Sequence, residues 1–74
     1  PNPGMGVFRV FNNSRVSATE LTILDARGEI IYSTPDPGPV HQVDGGTWRQ
    51  GLYFLHLRFP DGSHHAEPVL IVRP

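Results

Sequence analysis

Cysteine is missing from the 74 residues, so neither a disulfide nor a thiolate metal site can staple this fold. Lysine is missing too: all six basic residues are arginine, which reads as a bias of source before function. A large charge of either sign is also lacking. The formal net charge of −1 leaves no electrostatic footprint for nucleic acid or for an anionic membrane. No apolar run approaches the roughly 20 residues a helix needs to cross a bilayer. A signal peptide and an initiating Met are absent ahead of Pro1, so the chain reads as a piece of something longer.

What is present narrows the class further. Eight glycines and eight prolines fall between short apolar runs, which excludes a long helix or coiled coil, and their lack of period excludes collagen. Hydrophobic residues make up 38% of the chain and cluster into alternating segments, which argues against disorder. At about half a typical domain length the chain has room for one domain, and it buries only about 60% of its unfolded surface.

Pro1-Asn2-Pro3-Gly4 is turn or linker chemistry, with residues 1–6 expected as a linker end and residues 7–74 as a single domain. Val7–Phe11 reads as a first strand closed by Asn12-Asn13-Ser14. Alternation from Glu20 to Asp25 gives a half-buried strand. Asp25-Ala26-Arg27-Gly28 reads as a type I turn completed by a left-handed glycine, with Glu29–Ser33 returning as the partner strand. Thr34–Pro39 carries three prolines and is expected as a surface connection. Val40–Val43 is a short strand, followed by a turn at Asp44-Gly45-Gly46-Thr47. The longest strand signal is Leu52–Phe59, with Tyr53, Leu55, Leu57 and Phe59 on one face and a half-apolar opposite face. Pro60-Asp61-Gly62-Ser63 is a turn, and Glu67–Val72 the last strand. The expected fold is therefore all-β: a small antiparallel immunoglobulin-like sandwich of about six to seven strands. Trp48-Arg49-Gln50-Gly51-Leu52-Tyr53 adds a local signal for it. Tyr53 stands where a tyrosine corner bonds back to upstream backbone, Gly51 permits the bend, and Trp48 plugs the end of the core.

The chemistry-bearing residues point away from catalysis. The acids Glu20, Asp25, Glu29, Asp36, Asp44, Asp61 and Glu67 sit mostly in turns or at strand ends, where aspartate serves the backbone. No glycine-rich phosphate loop leads into a helix. Adjacent His64 and His65 would point to opposite faces of a strand and cannot share an ion, and neither His41 nor His56 stands in ligand spacing to them. Asp44 and Asp61 lack the run of oxygen ligands that calcium requires. Neither a metal nor a cofactor is expected. Tyr32, Trp48, Tyr53 and Phe54 offer a sugar-stacking platform, with core packing the competing reading.

Taken end to end, the chain resembles the C-terminal sorting domain of the bacterial type IX secretion system. The resemblance rests on Pro1-Asn2-Pro3 ahead of a short strand and on the hairpin Leu21-Thr22-Ile23-Leu24-Asp25-Ala26-Arg27-Gly28-Glu29-Ile30-Ile31. It continues through the Gly51-Leu52-Tyr53 strand to the closing Pro68-Val69-Leu70-Ile71-Val72-Arg73-Pro74. Two departures stand out: Arg73-Pro74 where many members carry lysines, and the proline-rich loop at 34–39. The resemblance implies a non-catalytic signal at the end of a larger cargo protein, exported through the periplasm to the cell surface or the medium. Its implied partners are the outer-membrane translocon, the covalently linked cargo, and a sortase-like peptidase that in many members removes the domain and couples the cargo to lipopolysaccharide. Translocon recognition is expected at Val69, Leu70, Ile71, Val72, Arg73 and Pro74, by strand addition or a docked face. Pairing of two copies through an open edge is a further expectation. The alternatives are a carbohydrate-binding module and a structural, fibronectin-like spacer.

Overall fold

The computed structural model describes residues 6–72. Pro1, Asn2 and Pro3 at one end and Arg73 and Pro74 at the other lie outside them. Six strands and no helix make up these residues: β1 (Val7–Phe11), β2 (Glu20–Asp25), β3 (Ile30–Pro35), β4 (Val40–Asp44), β5 (Gly51–Arg58) and β6 (His64–Ile71). They form two antiparallel sheets, a two-stranded one (β1-β4) and a four-stranded one in the order β3-β2-β5-β6. The two pack as a small β-sandwich.

Alternation decides what is buried. In β2, Leu21 and Ile23 are fully enclosed, and in β5 Tyr53, Leu55 and Leu57 line up beside them. Val10 of β1 and Val43 of β4 close the core from the other sheet, with Ala18 and Ile71 at its ends. The first hairpin forms as its Asp-x-x-Gly pattern dictates. Gly28 takes φ 89° and its N–H donates to the Asp25 carbonyl at 2.9 Å, while the Asp25 N–H donates to the Glu29 carbonyl at 2.9 Å. One β3 residue, Ile31, bulges out of the β2–β3 register.

Four strands differ in their bounds from the sequence expectation, β4 by a single residue, since it runs on through Asp44, and β6 at its far end by one, since it stops at Ile71. β3 starts one residue later than Glu29 and runs on through Thr34 and Pro35, which sequence reading gave to the connection. β3 is an edge strand, so a proline can join it provided its nitrogen faces outward. The N–H of Asp36 donates to the Thr19 carbonyl at 3.0 Å, and the alternation of an antiparallel ladder then turns the Pro35 nitrogen to the free edge. β5 spans Gly51–Arg58 instead of 52–59, leaving Phe59 just past its end. β6 begins at His64, three residues before Glu67, because the Pro60–Ser63 turn starts main-chain pairing at once, Arg58 opposite His64.

Candidate functional site

The tyrosine corner forms as its residues suggest. Tyr53 Oη donates to the Arg49 carbonyl at 2.6 Å, and Gly51 supplies φ 149° at the bend. Trp48 is half-buried and packs against Tyr53 (ring centroids 5.4 Å), Phe8 (6.1 Å) and Tyr32 (6.5 Å). Tyr32 Oη in turn meets His41 Nε2 at 2.7 Å, tying β3 to β4 across the sandwich. Phe54 takes no part in this cluster. It points to the opposite side of β5 from Tyr53, so the four aromatics offered for sugar stacking do not share one surface.

The acids serve turns. Asp25, Asp44 and Asp61 each accept, through Oδ1, the N–H of the residue two places on: Arg27 (2.9 Å), Gly46 (2.9 Å) and Ser63 (2.8 Å). Bonds to the anionic form hold two of these carboxyls below the ordinary aspartate value. The Glu29 N–H is the leading cause at Asp25, and the Ser63 hydroxyl at Asp61. His64 and His65 point to opposite faces: His64 stacks on His56 (centroids 6.0 Å), while His65 pairs with Glu67 at 2.9 Å. Among the described residues no three His, Cys, Asp or Glu side chains converge as metal ligands.

The segment expected to be recognised is the end of β6. Its alternate residues part company. Ile71 is buried at 6% exposure and Val69 is half-buried, both facing inward, whereas Leu70 (67%) and Val72 (66%) stand in solvent. Arg73 and Pro74 fall outside the described residues.

Leu70 does not stand alone. It lies directly across from exposed Leu52, and one pair further along the same face Pro68 faces Phe54, which faces Leu24, which faces exposed Ile30. One half of the outer face of the four-stranded sheet is thus an apolar strip crossing all four strands. The other half is polar, with Glu20, Thr22, Ser33, Arg58, His56 and His64. Sequence reading saw only that this face of β5 is half apolar. The strip becomes visible once register brings four strands together.

The β6 edge itself is interrupted. Because the Phe59 N–H donates to the Ser63 carbonyl at 2.9 Å, alternation turns the nitrogens of His64, Ala66, Pro68 and Leu70 toward the free edge. Pro68 has no N–H, so it breaks that row of donors midway.

No curated protein and no solved structure matches the chain. One family does, described as the secretion system C-terminal sorting domain, and the match takes in residues 1–71, nearly the whole sequence. The Asp25–Gly28 hairpin, the Tyr53 corner and the exposed end of β6 therefore belong to a domain whose family acts in sorting, and the chain is a member of the secretion system C-terminal sorting domain family.

Proposed function

We propose that this domain is the non-catalytic signal that directs a covalently attached cargo protein through the outer membrane by type IX secretion, and that the translocon reads the end of β6. The observation that carries this reading is the exposure of Leu70 and Val72 at the head of a continuous apolar strip, in a family of sorting domains. A strip of this kind on an otherwise polar sheet face has an unfavourable contact with water that a docking partner removes. Inward-facing Ile71 and Val69 hold the strand in place and so present their outward neighbours. Arg73 and Pro74 extend the recognised segment past the last strand. Since Pro68 interrupts the β6 edge, docking onto the side chains of the strip contributes more than strand addition along the whole of β6.

After export, a sortase-like peptidase cuts upstream of the domain and leaves the cargo at the surface or in the medium. The aromatics speak against glycan binding as the main role, because Phe54 faces away from Trp48, Tyr32 and Tyr53.

The test is export of a reporter carrying residues 1–74 at its C-terminus, in a host with a working type IX system and in a matched strain without the translocon. Export only in the competent strain, lost on changing Leu70 and Val72 together to Ser in a domain that still folds, is the expected result. A reporter held in the periplasm of both strains, with the domain folded, overturns the reading.

A further inference from the structure

The two sheets are unequal: among the described residues two strands face four. β4 lies over β3, as the Tyr32–His41 contact at 2.7 Å shows, and β1 lies next to β4. Among the described residues no strand then lies above the β6 side of the larger sheet. Along the inward face of β6, exposure grows from buried Ile71 through half-buried Val69 to exposed Glu67 and His65. The resulting cleft holds about 960 Å³. Its floor is Leu55, Leu57, Val69 and the His65–Glu67 pair, and its wall is the edge of β1.

That wall is an uninterrupted row of main-chain donors and acceptors. The Gly45 N–H donates to the Gly6 carbonyl at 2.7 Å and the Asn12 N–H to the Pro39 carbonyl at 2.9 Å, so even-numbered residues of β1 bond to β4. Alternation leaves the N–H and C=O groups of Val7, Arg9 and Phe11 aimed away from β4, toward the cleft. Both edges of the four-stranded sheet carry a proline whose nitrogen faces outward, Pro35 in β3 and Pro68 in β6. β1 carries none.

We infer that this cleft is a receptor slot for one extended strand of a second polypeptide, which pairs with the free edge of β1 and lays alternate side chains on the floor. The alternating partial charges along the edge match only an extended backbone, since a helix or a globular face cannot present acceptors and donors at strand spacing. The occupant places alternate, apolar residues over Leu55, Leu57 and Val69. A second folded copy does not fit. Joining two β1 edges would drive the uncovered β5–β6 floor of one copy into that of the other. This slot is on the opposite face of the larger sheet from the Leu70 strip, so the inference stands without the sorting role.

The test titrates the 74-residue chain with a synthetic nine-residue peptide of alternating valine and threonine, followed by amide resonances and hydrogen exchange. Saturable binding that slows exchange at Val7, Arg9 and Phe11, with the amides of Phe8 and Val10 already protected, is expected. Arg9→Pro deletes one free-edge donor without touching the β1–β4 ladder and weakens binding about tenfold, while Arg9→Thr binds as the parent does. Should Arg9→Pro not fold, the same peptide N-methylated at alternate residues decides, since it keeps the side chains and loses the bonds. Absence of saturable binding, equal binding by the N-methylated peptide, or protection of Val7, Arg9 and Phe11 in the chain alone, as monomer or dimer, overturns the inference.

Discussion

The inner and outer faces of the four-stranded sheet are built from the same four strands, yet they are under opposite demands. Inward, Leu21, Ile23, Leu55 and Leu57 are almost wholly out of water. Outward, their immediate neighbours Leu24, Phe54, Leu52 and Leu70 are apolar as well, but no described strand packs over them: Leu24 and Phe54 are half-buried, and Leu70 keeps 67% of its surface exposed. Burial explains the first set through stability, since each enclosed aliphatic side chain contributes about 1.5–3 kcal/mol. It cannot explain the second set, because exposed apolar side chains stabilise little. The difference separates residues that make the fold from residues that the fold displays.

The largest effect that would test this division is on the inner face. Ile23→Ala is expected to cost about 2–5 kcal/mol, because Ile23 is fully enclosed and its neighbours from both sheets cannot close the gap. In a domain this small such a loss takes most of the stability, and urea unfolding should show it as a collapse of the transition midpoint. A midpoint close to the parent's would mean that the sandwich is not closed where Ile23 sits.

Second comes Tyr53→Phe, which keeps the ring against Trp48 and removes only the hydroxyl that bonds the Arg49 carbonyl. A loss of about 1 kcal/mol is expected in the same unfolding experiment. An unchanged midpoint would reduce the corner to a packing contact.

On the outer face the expectation reverses. Leu70→Ser should shift stability by no more than about 0.5 kcal/mol, as surface changes do. Export of a reporter bearing it should fall nonetheless, measured as the surface-to-periplasm ratio. A variant that unfolds the domain, or one exported like the parent, would erase the distinction between the faces.

Much of this was legible in the chain. The spans of β1 and β2, the Asp25–Gly28 hairpin and the Tyr53 corner follow from local rules, in which turn chemistry and period-2 alternation act within ten residues. The extension of β3 through Pro35 was not, since whether a proline nitrogen faces a neighbour or open solvent depends on which strand ends up at the edge. Nor was the start of β6. His64-His65-Ala66 has no apolar alternation, and among the described residues no strand opposes the inner face there, at His65 and Glu67. The outer strip and the cleft beside β1 share that origin. Each is a product of strand order, which places Leu24, Phe54 and Pro68 abreast and, among the described residues, leaves no strand over Glu67; the half-apolar outer face of β5 is the one trace of the strip in a single segment.

At the end of the sheet, where neither face governs, side chains answer to the backbone, and the smallest expected effect lies there. Asp25 Oδ1 accepts the N–H groups of Arg27 and Glu29, each at 2.9 Å. The Glu29 bond is the main reason its pKa falls below the ordinary 3.8, with partial desolvation opposing it and Arg27 adding to it through its N–H and its charge. A carboxyl with a lowered folded-state pKa stabilises above its unfolded value, and that stabilisation is lost as the pH drops through the folded value. Acidification from pH 5 to below about 3.8 should therefore loosen the first hairpin, seen as faster exchange of the Arg27 and Glu29 amides before any change at Leu21 or Ile23. Asn at this position keeps the turn-forming oxygen and cannot titrate. Asp25→Asn should accordingly leave the hairpin intact at neutral pH and abolish its acid response. The Asp61 turn, whose leading bond comes from the Ser63 hydroxyl, should keep its own. If the acid response of the Arg27 and Glu29 amides survives in Asp25→Asn, the carboxyl does not hold this turn, and its place at the strand end would have to be explained by the strand itself.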